Sequence, residues 1–378
     1  MGVPYLRFKQ EDDSDYSDWE DYTFDELFAS FPNKQYQLQT KDYHKTGKYP
    51  IIDQGQDYLA GYTDVETVVC YQIPAIIFGD HTTIVKYINK PFAVGADGVK
   101  TLTTTLNNPK YAYYLLSANA VSPEGYKRHF SIQKEKLLLT AISIDEQNKI
   151  ADFLSNIDLQ IENYQKSLVN LEAQKAELLR QVFSQELQFT KEDGSEYPEW
   201  EEDTLGHYVK ITSGKSPTGL LSDKGTIPYF KVDQLNYTSK YLCDTPYYIN
   251  YTENNVVSKG CIIFPKRGEA IFQNKIRILA QDSFMDTNLM TLACRDCNNE
   301  YLYYYLCAND LSQIADTTTV PQINNKHINP YSIQLPCLEE QQKIADFFSD
   351  FDKRIELERQ RLQAMQELKK GLLQQMFC

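Results

Sequence analysis

Residues 146–183 read EQNKIADFLSNIDLQIENYQKSLVNLEAQKAELLRQVF, and residues 340–377 read EQQKIADFFSDFDKRIELERQRLQAMQELKKGLLQQMF. The two stretches align without a gap at a constant offset of 194, and 17 of the 38 positions are identical. Unrelated segments of average composition match at roughly one position in seventeen, about two in such a window. This is therefore an internal repeat, and a repeat fixes the architecture. In the first copy the apolar or seam positions run 157, 161, 164, 168, 171, 175, 178 and 182, alternating in steps of four and three. That spacing keeps one stripe facing a partner helix. Neither Gly nor Pro interrupts 145–183, and the second copy repeats the stripe through Phe351, Ile355, Leu362, Met365, Lys369, Leu372 and Met376. A helix of this length spans about 57 Å and must bury its stripe against another long helix, for which the other copy is available. Lys175 and Lys369 occupy equivalent seam positions. Each is either a stem snorkelling at the edge of the seam or a polar device for register or subunit contact.

A second block precedes the first: RFKQEDDSDYSDWEDYTF (7–24) lies against QFTKEDGSEYPEWEEDTL (188–205) at offset 181, pairing Trp19 with Trp200, the only two tryptophans. Between the blocks the correspondence is faint but ordered. Ile-Ile-Phe at 76–78 matches 262–264 at offset 186, and the tyrosine-rich run from Tyr111 matches that from Tyr301 at offset 190. Offsets that rise in steps are what loop insertions produce. The chain is thus two copies of one unit: a lead-in, a variable domain and a constant helix. The expected division is a lead-in at 1–19, a first variable domain at 20–144, a helix at 145–184, a lead-in repeat at 185–200, a second variable domain at 201–338 and a helix at 339–378. Because the second lead-in follows the first helix closely, the second variable domain must travel back before the second helix begins. An antiparallel coiled coil with a pseudo-two-fold axis between the units meets that requirement.

The variable domains read as mixed α/β (α+β). Val68-Val-Cys-Tyr, Ala75-Ile-Ile-Phe and Gly260-Cys-Ile-Ile-Phe are strand-like runs bounded by Gly or Pro. Lys110–Leu116 and Glu300–Leu306 look like short helices. Gly47-Lys-Tyr-Pro-Ile-Ile52 and Gly225-Thr-Ile-Pro-Tyr-Phe230 share a turn leading into a strand.

Composition excludes several classes. With 378 residues, 38 Lys+Arg and 52 Asp+Glu, the net charge is −14, and no run approaches the roughly 18 apolar residues of a membrane span. The start MGVPYLRFKQEDD lacks the apolar core of a secretory signal, so a cytoplasmic protein with no membrane partner is expected. Eight scattered cysteines argue against a disulfide framework. Cys294-Arg-Asp-Cys297 is the one close pair, and only Cys307 lies near enough to add a ligand, so no metal is expected. Acidity ordinarily argues against nucleic acid, but the charge is unevenly spread and a partner subunit can supply a positive field.

Catalytic signatures are missing. Gly214-Lys215-Ser216 resembles a phosphate loop, yet Val209 stands where the first glycine belongs. Asn329-Pro330-Tyr331 lacks the second proline and the upstream glycine-rich loop of an amino-methyltransferase. There is no HExxH or GxSxG, and five histidines leave little material for acid–base chemistry. Paired acids such as Asp152 and Asp158 fall on the long helix, where a solvated face is the ordinary role.

The doubled text Glu-Gln-x-x-Ile-Ala-Asp-Phe-Leu-Ser-x-x-Asp-x-x-Ile-Glu, ending near Lys-x-x-Leu-Leu-x-Gln-x-Phe, resembles the constant regions of the specificity subunit of type I restriction-modification enzymes. The opening Val3-Pro-Tyr-Leu-Arg-Phe8 is similar to that family's start. The departures are small: Ser17 stands where the second lead-in has Pro198, and Gly371 where the first helix has Glu177. The resemblance implies a non-catalytic subunit with two target recognition domains, each reading half of a bipartite double-stranded DNA sequence. It also implies docking of two modification (adenine-methylating) subunits and of restriction subunits. S-adenosylmethionine, ATP and Mg2+ would belong to those partners, with no cofactor in this chain.

Base readout favours Arg, Lys, Asn and Gln, and phosphate contacts come from Lys, Arg and hydroxyls. In the first domain the candidates are Lys41, His44, Lys45, Lys48, Asp80, His81, Lys127, Arg128 and His129. In the second they are Lys215, Ser216, Lys266, Arg267, Asn274, Lys275, Arg277, Asn324, Asn325 and Lys326. The loops after Ile-Ile-Phe are equivalent in the repeat, which raises both sets together. Two rival readings are a coiled-coil scaffold without DNA readout and a self-sufficient methyltransferase or nuclease. The scaffold predicts no salt-sensitive DNA binding, and the missing motifs oppose the enzyme.

Overall fold

The computed structural model describes residues 4–125, 127–216, 221–222, 224–250 and 256–377. The start of the lead-in at 1–3 and Cys378, expected to end the second helix, lie outside the described residues. The chain divides into two compact units, residues 1–166 with 359–378 and residues 167–358.

In the first unit β1 (Glu20–Thr23), α1 (Phe24–Leu27), β2 (Phe28–Phe31), β3 (Tyr49–Ile52), β4 (Gly61–Thr63), β5 (Ala75–Gly79), β6 (Val85–Ile88), β7 (Ala93–Val94) and β8 (Val99–Thr104) precede α2 (Pro109–Ala118), α3 (Phe130–Lys134) and β9 (Leu137–Thr140). The helix α4 (Ile144–Phe183) follows, its first part belonging to this unit. One sheet has the antiparallel order β2-β8-β5-β6, a second the order β4-β3-β7 with β3 parallel to β7, and β1 pairs with β9. Successive side chains of a strand point to opposite faces, and β5 uses both. Ile76 and Phe78 join Tyr111, Tyr114 and Leu115 of α2 in one cluster, while Ala75 and Ile77 join Ile52, Val94 and Phe92 in another. Burial on both faces is why this strand is apolar throughout.

The second unit repeats the plan. It contains β10 (Glu201–Thr204), α5 (Leu205–Tyr208), β11 (Val209–Ser213), β12 (Ile227–Phe230), β13 (Tyr241–Leu242), β14 (Tyr248–Ile249), β15 (Ile262–Pro265), β16 (Arg277–Leu279), β17 (Phe284–Met285), β18 (Leu289–Cys294), α6 (Asn299–Ala308), α7 (Asn325–Ile328), β19 (Ser332–Leu335) and the first half of α8 (Leu338–Phe377), whose second half belongs to the first unit. Its sheets have the orders β11-β18-β15-β16-β13, β14-β12-β17 and β10-β19. Here Ile262 and Phe264 face Tyr301 and Tyr304 of α6, and Ile263 faces Phe230 and Met285. The helices α2 and α6 start alike: Asn108 and Asn298 each accept from two backbone N–H groups of the first turn, the role an amide side chain fills at an N-cap.

The run Val68–Tyr71, expected as a strand, is a 3-10 turn over Glu66–Val68 followed by a single bridge between Cys70 and Phe92. A longer ladder would need Val94, whose carbonyl already accepts from Leu38 N–H at 3.0 Å. Gly371 does not interrupt α8, which runs 40 residues through it; one glycine costs only about 1 kcal/mol in a helix.

The helix halves pack antiparallel within each unit. In the first, Ile157 and Ile161 share a cluster with Met365, Leu372 and Met376, and Asp158 meets Lys369 at 2.6 Å. In the second, Leu178 and Val182 pack with Ile344 and Phe348, and Lys175 meets Asp352 at 2.5 Å. Asp158 and Asp352 are equivalent in the repeat, as are Lys175 and Lys369, so one seam pair is made twice. A tyrosine completes each: Tyr114 donates to Asp158 at 2.6 Å and Tyr304 to Asp352 at 2.5 Å. The seam lysines are therefore a polar pairing device that fixes register, more than snorkelling stems.

The lead-ins pin the helix starts through the tryptophans. Trp19 Nε1 donates to Glu146 at 3.0 Å, and Trp200 Nε1 to the equivalent Glu340 at 3.1 Å. Both glutamates are buried, but their partners differ. Glu146 also takes two hydrogen bonds from Arg7, at 3.0 and 2.9 Å, whereas the position equivalent to Arg7 is Gln188. Without a cation, burial pushes the Glu340 carboxyl above its ordinary value, and the Trp200 N–H offsets only part of this. The fold thus favours protonated Glu340, and stability is lost as pH rises from the ordinary carboxylate value through the raised one. Urea titration at neutral pH should find Glu146→Gln destabilising by about 2 kcal/mol, because it removes the charge-assisted pair with Arg7, which is half-buried and keeps the Ser17 carbonyl as a partner. Glu340→Gln should be neutral or stabilising, with the difference shrinking below the carboxylate range.

Candidate nucleic-acid interface

In the first unit three loops converge beyond the end of β5. They are Asp53–Asp57 after β3, Asp80–Thr83 after β5, and Gly95–Gly98 between β7 and β8. Gln54 ties them together: its Nε2 donates to Asp97 O at 2.9 Å, its Oε1 accepts from His81 N–H at 3.0 Å, and its carbonyl accepts from Thr82 Oγ1 at 2.7 Å. The approach is close, and at Gly98 the backbone conformation itself favours glycine. A Cβ on Gly98, whose φ is +87°, would lie 2.3 Å from Gln54 Nε2, and one on Gly79 would lie 2.2 Å from Thr82 Oγ1. Beneath the loops, buried Lys86 donates to Asp57 O at 2.5 Å and lies 3.5 Å from the Asp53 carboxylate. Burial lowers the pKa of Lys86, and Asp53 opposes that shift.

The segment before α3 closes on the same loops. His129 N–H donates to Asp80 O at 2.7 Å, Phe130 N–H to Asp80 Oδ1 at 2.9 Å, and His81 Nδ1 lies 2.9 Å from Lys127 O. Asp80 and His129 are buried at 3% and 1% exposure. His129 Nε2 accepts from Glu124 N–H at 2.9 Å, so both side chains act inside the fold and leave His81, Lys127 and Arg128 at the surface. Tyr43, whose hydroxyl accepts from Ala96 N–H at 2.8 Å, brings the strip carrying Lys41 and His44 to the same turn. Lys45, next to His44 on that strip, is exposed. Lys48 stands at the far end of β3, its ammonium 4.8 Å from the Tyr49 ring centre.

The second unit builds the same edge from different side chains. Lys266 N–H donates to Asn288 O at 2.8 Å, Gly214 N–H to Leu289 O at 3.1 Å, and Lys215 N–H to Met285 O at 3.0 Å. These contacts bring the ends of β11 and β15 to the turn before β18, with Ser216 next in the chain. The loop after β15 is zipped to the segment before α7: Gly268 N–H donates to Pro321 O and Ile323 N–H to Lys266 O, both at 2.8 Å, and Arg267 bridges Gln322. Lys266 and Arg267 are thereby brought beside Asn324, Asn325 and Lys326. Burial, with Arg267 adding to it, lowers the pKa of Lys266, as expected where like charges gather.

The remaining residues of the second set lie elsewhere. Asn274, at φ +42°, donates to the carbonyls of Leu306 and Cys307 at the end of α6. Lys275 bonds Asn236. Arg277 donates to Thr238 O at 2.7 Å and Ile276 O at 2.6 Å. Their polar groups are engaged within the fold.

Sequence reasoning passed over Gln54 and Lys86, whose importance comes from loops distant in the chain. The closely spaced Gly79, Gly95 and Gly98 were the available signal. It also passed over Lys240, which is buried and bonds Glu300, Tyr304 and Ser349, tying the sheet of the second unit to α6 and α8. The Cys297 thiol donates to Tyr208 O at 3.7 Å, and among the described residues no group of three or more His, Cys, Asp and Glu is placed to hold a metal.

A domain built twice, with equivalent edges presenting different polar side chains, agrees with comparison to known proteins. The family model for the type I restriction modification DNA specificity domain matches twice, at residues 16–173 and 197–367. The chain belongs to that family of non-catalytic DNA-specificity subunits. It is 24% identical over 352 residues to the type I restriction enzyme EcoR124I/EcoR124II specificity subunit of Escherichia coli, covering 84% of this chain and 83% of the relative. It is 26% identical over 208 residues to the type I restriction enzyme MjaVIII specificity subunit of Methanocaldococcus jannaschii, covering 52% and 46%. In fold it matches the crystal structure of a type I restriction-modification S subunit from M. genitalium, with TM-score 0.60 at 19% identity over 100% of this chain and 99% of that one. No helix among the described residues is long and apolar enough to cross a membrane.

Because Gly98 meets Gln54 at positive φ, Gly98→Ala should cost about 1–2 kcal/mol. Hydrogen exchange should rise in 53–58 and 80–83 and stay unchanged around Trp200.

Proposed function

We propose that the variable domains, residues 20–144 and 201–338, each read one half of an asymmetric bipartite DNA target. The lead-ins at 1–19 and 185–200 and the constant helices at 145–184 and 339–378 set the spacing and dock two modification subunits. Restriction subunits join that assembly, and S-adenosylmethionine, ATP and Mg2+ act in the partners. The protein works in the cytoplasm of a prokaryote.

The observation that carries this reading is the repeated edge. Both units end the central strand in a loop zipped to the segment before a short helix, yet the residues offered there differ. Two domains with one backbone plan and two sets of side chains suit a target of two unlike halves. Lys215, Lys266, Arg267 and Lys326 give the second edge the means to hold phosphates, and Asn324 and Asn325 the means to read adenine. The first edge offers His81, Lys127 and Arg128 beside Asp53, Asp57 and Asp97. Carboxylates accept from cytosine N4 and need a positive field from a partner to approach DNA.

The test is to co-express the chain with its modification subunit and map methylated adenines genome-wide, with and without the chain. Methylation at one bipartite motif, appearing only with the chain, is expected. Unchanged methylation despite an assembled complex would put the scaffold reading in its place. In the complex, Lys266→Ala/Arg267→Ala should weaken DNA binding and lower the slope of log affinity against log salt by about 2.

A further inference from the structure

The close pair Cys294-Arg-Asp-Cys297 has no part in DNA reading, yet the fold brings its two sulfurs together. Cys294 ends β18 in register with Val209, and the Cys297 thiol donates to the carbonyl of the residue before it, Tyr208. The turn between the cysteines reverses at Asp296, whose φ is +50°, and Arg295 N–H fastens it to the same Tyr208 carbonyl at 2.7 Å. Across that turn the Cys294 thiol donates to the Cys297 sulfur. Both cysteines are free and half-buried.

The first domain builds the same loop without sulfur. At offset 190, Thr104 and Asn107 stand in the places of Cys294 and Cys297, and both loops lead to an N-cap asparagine. Thr105 N–H donates to Leu27 O at 3.0 Å, as Arg295 N–H does to the equivalent Tyr208 O. Leu27 O receives the Thr104 hydroxyl at 2.8 Å, where Tyr208 O receives the Cys297 thiol. The shape of the loop therefore needs neither cysteine. The thiols also differ in reactivity. Cys297 directly precedes the N-cap of α6, a helix of ten residues, and that end of a helix favours a thiolate. The hydrogen bond from Cys294 lowers the Cys297 pKa against the opposing effect of burial, and raises that of Cys294 in turn. Burial raises the pKa of Cys70, Cys243, Cys261 and Cys307.

We propose that Cys294 and Cys297 form a redox-active dithiol, present in the second domain and not in the first, which takes a hydroperoxide as its oxidant and closes to a disulfide across the turn. The Cys297 thiolate attacks a peroxide oxygen and the O–O bond breaks, leaving a sulfenic acid on Cys297. The departing oxygen takes up the proton released from Cys297, giving water or an alcohol. The Cys294 sulfur then attacks the Cys297 sulfur, the S–O bond breaks, and the hydroxyl leaves as water with the Cys294 proton. Two thiols thereby lose two electrons to the peroxide, and an external thiol reopens the disulfide by exchange. Reversible closure of this kind is the ordinary fate of a disulfide in a reducing compartment. The closed ring joins the end of β18 to the start of α6, where Asn298 N–H donates to Gln341 and its amide to Gln342 of α8. The site lies where the second domain meets its constant helix.

The experiment treats the reduced full chain with hydrogen peroxide and maps its tryptic peptides without reduction. Cleavage after Arg295 parts the two cysteines, so closure is read as peptides 278–295 and 296–326 joined by a bond that a reducing agent opens. The link should form in the wild type and be lost in Cys297→Ser. In Cys294→Ser the Cys297 sulfenic acid should persist and be trapped by a cyclic dione. Cys307→Ser, which removes the other cysteine of peptide 296–326, should keep the link. Cys294→Thr/Cys297→Asn carries the first domain's own residues and should fold while losing the link. Before oxidation, Cys297 should be alkylated about tenfold faster than the exposed Cys243. A pair that stays reduced under excess peroxide, or a link that survives Cys297→Ser, would overturn the proposal.

Discussion

Two helices of 40 residues, each with a single apolar stripe, are unstable alone in water, and the structure depends on how that stripe is buried. In each unit half of one helix lies antiparallel to half of the other. The stripe alone would tolerate sliding by a heptad, since apolar contacts are non-directional. Asp158 with Lys369 and Asp352 with Lys175 remove that freedom, because a shifted seam would leave two partly buried charges unpaired. Repeating one pair at equivalent positions lets a single register serve both units.

The same carboxylates attach the variable domains. Tyr114 and Tyr304 reach from α2 and α6 to Asp158 and Asp352, and both tyrosines also pack against the central strand of their own sheet. A line of contact therefore runs in each unit from the seam, through a tyrosine-bearing helix, to the strand whose far end opens into the proposed reading edge. The variable loops can change without touching this line. That separation allows one scaffold to carry unlike edges, as expected of a family in which function lives in sites placed on a common fold.

Much of this was legible in the sequence because periodicity and internal repetition are local properties. The long helices run unbroken through the repeated stretch, as its periodicity predicts, and the strands at 75–79 and 262–265 and the helices after Asn108 and Asn298 follow from apolar runs and repeat equivalence. The failures were of partner choice. Val68–Tyr71 has strand composition, but the partner needed to extend its ladder was already taken by Leu38. Asp80 and His129 look like surface polar residues until the loop at 80 closes on the segment at 127–130. Arg277 looks like a DNA ligand until the carbonyls of Thr238 and Ile276 are seen beside it. Leu38 and Val94, Asp80 and His129, and Arg277 and Thr238 are brought together from distant parts of the chain, which no local pattern records. What did carry through was the equivalence of the loops after Ile-Ile-Phe, since repeat equivalence survives folding.

The central claim is that the two variable domains are interchangeable readers on one repeated scaffold. It is tested most directly by a chain in which residues 201–335 are replaced by a second copy of residues 20–140, co-expressed with the modification subunit and followed by genome-wide mapping of methylated adenine. Because the constant helices pair antiparallel, the methylated motif is predicted to become an inverted repeat of the half-site read by the first domain, at the original spacing. A motif that keeps its second half, or a folded complex that methylates without regard to either half, would contradict the claim.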